Sequence, residues 1–153
     1  MSKQQEAVLK AESKQFGIVE YSPEDVIEFP LGLPAFERET AFLLIERPQS
    51  KPMVFLQSLA RPELCFVTLP IRVVDTDYQL CLGAEDLPVL GVRESQLATG
   101  NLICLAIVSL TDSRPTANLL APVVVNVEAR RAVQAIRMDA RYSHQHPVGE
   151  LCS

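Results

Sequence analysis

Eleven prolines, spaced at short intervals among β-branched and aromatic runs, limit this chain more than any other feature. Proline lacks a backbone N–H and fixes φ, so it ends helices and cannot sit in the middle of a paired strand. A 153-residue chain punctuated this way holds only short elements, which favours a small all-β fold. Strands are expected at 16–21, 26–29, 41–46, 54–59, 65–69, 78–82, 102–110 and 132–138. The 102–110 run is the strongest, with eight apolar residues in nine, and predicts burial on both faces. Val123-Val124-Val125, entered through Pro122, reads as a further buried strand. Thr116 and Asn118 suit a tight turn before it. Ser22-Pro23-Glu24-Asp25 suits a single capped helical turn, and a short helix is expected within 83–91, ending near Gly91. The sum is an all-β fold, a small, partly open β-barrel with one or two short helical turns.

The length fits one domain. Residues 1–15 are polar and read as a flexible arm, 16–148 as the barrel domain and 149–153 as a short tail. No apolar run reaches the ~20 residues needed to span a bilayer as a helix. Met1–Glu6 leads into no apolar signal region, so the expected location is the cytoplasm. Cys65, Cys81, Cys104 and Cys152 are widely spaced and read as small hydrophobes in a reducing compartment.

Chemistry-bearing patterns are sparse. The only histidines, His144 and His146, lie in a polar stretch and read as solvated. Glu85 and Asp86 are adjacent, so on a helix they point apart. No phosphate-cradling glycine loop or nucleophile elbow occurs. The chain is therefore expected to bind rather than catalyse, with no cofactor and no metal. Its net charge of −5 argues against sequence-independent contact with phosphate backbones and is compatible with a basic protein partner. Two rivals stay open: a nucleic-acid-binding small barrel, for which Arg130-Arg131 is the clearest basic pair, and an enzyme with a cryptic site.

Five segments in order carry a family resemblance. Thr116–Asn126 resembles "T-A-N-L-x-A-P-[IV]-V-[IV]-N", and Phe29–Glu37 resembles "F-P-x-G-L-P-G-F-E". Phe55–Leu59 is similar to an "F-L-x-L-Q-S" strand with looser spacing. Arg130, Ala132 and Gln134 follow in the family's order, and Tyr142 with His146-Pro147 matches a terminal "Y-S-x-x-H-P". The resemblance is to the flagellar assembly factor FliW family and covers roughly residues 16–148. It implies a cytoplasmic protein that binds flagellin and the translational regulator CsrA. It further implies partner switching: accumulated flagellin occupies the protein, frees CsrA and so represses flagellin translation. Of the motif positions, the polar or exposed-looking Glu37, Gln57, Asn118, Asn126, Arg130 and Gln134 are expected to contact a partner, with a structural turn role as the alternative for each. Ala35 and Ala132 stand where the family usually has glycine, which predicts strain wherever the backbone requires positive φ. Phe29, Leu31, Leu33 and Phe36 either plug one barrel end or form an exposed anchor.

Overall fold

A computed structural model describes residues 8–93, 95, 101–110, 114–136 and 141–148. Its strands are β1 (Leu9–Ser13), β2 (Gly17–Tyr21), β3 (Val26–Glu28), β4 (Ala41–Ile45), β5 (Val54–Ser58), β6 (Cys65–Pro70), β7 (Leu102–Ser109), β8 (Thr116–Ala117), β9 (Val123–Asn126), β10 (Arg131–Gln134) and β11 (His146–Pro147). Two short helices, α1 (Ile71–Val74) and α2 (Asp86–Leu90), and two 3-10 turns, Pro23–Asp25 and Pro48–Ser50, are the helical elements among the described residues.

Seven strands pair in the ring β7-β6-β5-β4-β3-β10-β9, and β9 returns to β7 through Leu102↔Asn126 to Leu105↔Val123. The barrel is thus closed by pairing. Its narrowest seam joins β3 to β10, which run parallel through one residue pair, Glu28↔Arg131. There the Glu28 amide donates to the Arg130 carbonyl at 2.9 Å.

Strand alternation explains which residues fill the barrel. Ile27, Phe29, Phe42, Val54, Leu56, Leu105, Val123 and Val125 point inward into one core. Phe29 meets Phe42 edge-on, with ring centroids 5.1 Å apart. The intervening residues face outward, yet several are also covered. Val124 and Val133 lie under α2 and Leu90. Leu43, Ile45 and Phe55 lie under the β1–β2 hairpin, with Ala11 and Phe16. Two-sided cover accounts for the β-branched run Val123–Val125 and for the burial of every residue of β5.

Several expectations need correction. The segment expected to be a mobile arm contains β1, paired with β2 from Leu9↔Tyr21 to Ser13↔Gly17. Ser13 is buried and its hydroxyl donates to Gln57 Oε1 at 2.8 Å, so a contact 44 positions away orders the strand. Residues 78–82 form no strand. Instead Tyr78 is buried, donates to the Leu119 carbonyl at 2.8 Å and lies 4.4 Å from the Tyr142 ring. α1 was not expected, because Ile71, Val73 and Val74 are weak helix formers. It follows Pro70, whose missing N–H ends the β6 ladder. The 102–110 run is not buried on both faces throughout: Leu105 and Ala106 are enclosed, whereas Ile103 and, just past β7, Leu110 are exposed. The backbone of the histidine-bearing stretch is paired, His146 with Ala117 in β11–β8, while His144 is exposed and His146 half-buried, as expected of solvated rings. The expected 132–138 strand is β10, Arg131–Gln134; residues 137–138 lie outside those described.

α2 ends as expected. Gly91 adopts φ +72 and its amide donates to the Leu87 and Pro88 carbonyls. Of the two alanines in glycine positions, Ala35 has φ +73 and bears the strain, whereas Ala132 sits extended inside β10.

Candidate functional site

One end of the barrel is shut by the loop after β3. Leu33 is buried, and half-buried Phe36 packs edge-on against Phe66 at 5.7 Å. The Gly32 amide donates to the Phe29 carbonyl, and the Phe36 amide to the Leu33 carbonyl. Glu39 accepts from the Ser58 hydroxyl at 3.1 Å, and the Arg61 guanidinium stands over the Phe36 ring. Phe29, Leu33 and Phe36 therefore plug this end, as one of the two sequence readings expects. Leu31 does not: it is 62% exposed at the loop tip.

The opposite end is open. A groove of about 440 Å³ there is lined by Leu44, Ile103 and Val127 and edged by Glu20, Glu24 and Asp25. Ile103 is 38% and Val127 40% exposed. Asp25 caps its own 3-10 turn by accepting from the Ser22 amide at 2.9 Å. A wider groove of about 820 Å³ runs between Ile71, Tyr78, Leu80 and the start of β7. Ile103 lines both and forms the ridge between them.

The six motif positions do not converge. Gln57 is wholly buried: its Oε1 accepts from Ser13, and Nε2 lies 3.1–3.3 Å from the carbonyls of Ser58, Arg61, Pro62 and Leu64. Asn126 is also buried and donates to the Leu90 carbonyl at 2.8 Å, tying α2 to β9. Asn118 accepts from the Leu120 and Ala121 amides in an Asx turn. Gln134 donates to the Ala121 carbonyl at 2.9 Å. Glu37 is exposed and accepts from the Ala35 amide. Arg130 is exposed at the open end with φ +54. Glu37 and Arg130 are thus the two of the six that are exposed rather than buried or half-buried, and they mark opposite ends of the barrel.

Sequence reading missed Ile103 and Val127. Ile103 sits in an unbroken apolar run that looks like core, and Val127 begins a four-residue turn. Burial holds the Cys65 thiol up at about 11, so it is a poor nucleophile near neutral pH. Among the described residues, no three His, Cys, Asp or Glu side chains gather closely enough to hold a metal ion. Among the same residues, no helix is long and apolar enough to cross a membrane.

Comparison with known proteins fits this geometry. The family model described as FliW protein matches residues 10–148. The chain belongs to the FliW family. A flagellar assembly factor FliW of Syntrophomonas wolfei is 34% identical over 142 residues, spanning 92% of this chain and 88% of the relative. A Desulfitobacterium hafniense relative of the same name is 35% identical, covering 90% of each chain. A crystal structure of the flagellar assembly factor FliW superposes with a TM-score of 0.81 at 28% identity, covering 91% of this chain and 96% of that one. The FliW match starts at residue 10, inside β1, so the family pattern takes in the hairpin as well as the barrel.

Proposed function

We propose that this protein is a cytoplasmic flagellar assembly factor that acts by binding and not by catalysis. It binds flagellin and a CsrA-type RNA-binding regulator, one at the expense of the other, and so antagonises repression of flagellin translation. The observation that carries this reading is the family match across nearly the whole chain, joined to relatives named as flagellar assembly factors. The net charge of −5 supports it, because an RNA-binding regulator presents basic surface. Exposed Glu37 and Arg130 are the motif positions proposed to meet a partner; Gln57, Asn118, Asn126 and Gln134 act by holding the framework.

Two partners regulate one another when their sites overlap or when each shifts a shared equilibrium. Calorimetric titration with the regulator, alone and after saturation with flagellin, tests the switch. The expected result is binding that flagellin abolishes. Binding of flagellin alone would leave an assembly factor without translational control. Binding to neither would overturn the reading and return attention to nucleic acid as the ligand.

A further inference from the structure

The open barrel end pairs an apolar floor with an acidic rim. Strand register places it: β3 starts there, β7 starts there, and the turn from β9 to β10 closes over it. Ile103 and Val127 remain more than a third exposed at the centre, though apolar side chains of that size gain free energy from cover. Around them stand Glu20, Glu24 and Asp25 against one guanidinium, Arg130. Among the described residues, none of these four charges is in an ion pair within 4.0 Å. Lys10 lies across from Glu20 in the β1–β2 register, yet no salt bridge joins them.

From this geometry we infer that the open end docks a cationic protein segment carrying an apolar side chain at its centre. The apolar group covers Ile103 and Val127, and flanking Lys or Arg side chains meet Glu20 and Glu24. Desolvated apolar anchors supply affinity, whereas rim charges set partner choice, association rate and salt dependence. At the plugged end, by contrast, Glu39 is already engaged by Ser58 and Arg61. The inference deepens the proposed function and rests on its claim of a basic partner.

Two titrations separate the site from the function. The first uses a fluorescein-labelled synthetic peptide of alternating Lys and Leu with the full chain, read by anisotropy and by methyl NMR. Expected are shifts at the Ile103 and Val127 methyls and at least tenfold weaker binding by Glu20→Lys/Glu24→Lys. That loss should shrink as salt rises. Val127→Ser should weaken binding several-fold at every salt concentration, and circular dichroism should confirm that both variants stay folded. Shifts confined to other surfaces, or unchanged affinity in the charge-reversed variant, would overturn the inference. The second titration substitutes the CsrA-type regulator. If it binds the natural protein and the charge-reversed variant equally, the site fails while the proposed function stands. If the peptide binds as expected and the regulator does not, the proposed translational control fails and the site stands.

Discussion

The two ends of the barrel are built from similar residues and finished in opposite ways. At one end, Phe29, Leu33 and Phe36 turn inward, and Glu39 and Arg61 are engaged within the fold. Glu39 holds the Ser58 hydroxyl, and Arg61 stands over Phe36 and beside Glu63. At the other end, Ile103 and Val127 face solvent and the rim carboxylates of Glu20 and Glu24 have no ion partner among the described residues. A side chain's type does not say whether it is structural; whether its interactions are already satisfied does.

Mutation can sharpen the contrast. The largest effect should come from Phe29→Ala, which empties the plugged end of a wholly buried ring packed edge-on against Phe42. A loss of about 3–5 kcal/mol is expected by chemical denaturation, a large part of a small domain's stability. Gly32→Ala should follow, at about 2–3 kcal/mol. Gly32 has φ +67, and an added Cβ would stand 2.5 Å from the Glu37 Cα, a backbone atom that cannot swing away. The effect of Ala35→Gly is smaller and opposite in sign. Its φ of +73 disfavours any side chain, so glycine should raise stability by about 0.5 kcal/mol, the relief of strain exceeding the added freedom of the unfolded chain. Smallest of all, Val127→Ser at the open end should change stability by less than about 0.5 kcal/mol while weakening peptide binding. If Val127→Ser destabilised as much as Phe29→Ala, the two ends would not differ in kind.

Much of the barrel was legible because strand alternation and proline punctuation are local signals. Val54–Ser58, Val123–Asn126 and the αL stop at Gly91 fall where the residues predict. What escaped depends on distant partners. β1 has few apolar residues of its own and owes its order to Gln57 and Phe55 in another strand. Tyr78, Leu80 and Leu82 look strand-like, but they pack into clusters with Leu119, Leu90 and Cys104 and pair with no strand. The candidate contacts failed to converge for a related reason. A glutamine or asparagine inside an apolar strand advertises hydrogen bonding without saying with what; for Gln57 and Asn126 the partners are the chain's own hydroxyl and carbonyls.

The narrow seam between β3 and β10 has a consequence for how the protein is made. Arg131 is synthesised long after its partner Glu28, so the ring stays a curved, open sheet until β9 and β10 have emerged. β4, β5 and β6 can zip by successive hairpins as they emerge, but closure waits for the last strands. Until then, the outer edges of β3 and β7 are exposed to other chains. Slow synthesis of β9 and β10 would therefore lengthen the window for misassembly, and pausing the ribosome before Arg131 should enrich protease-sensitive, aggregation-prone nascent chains.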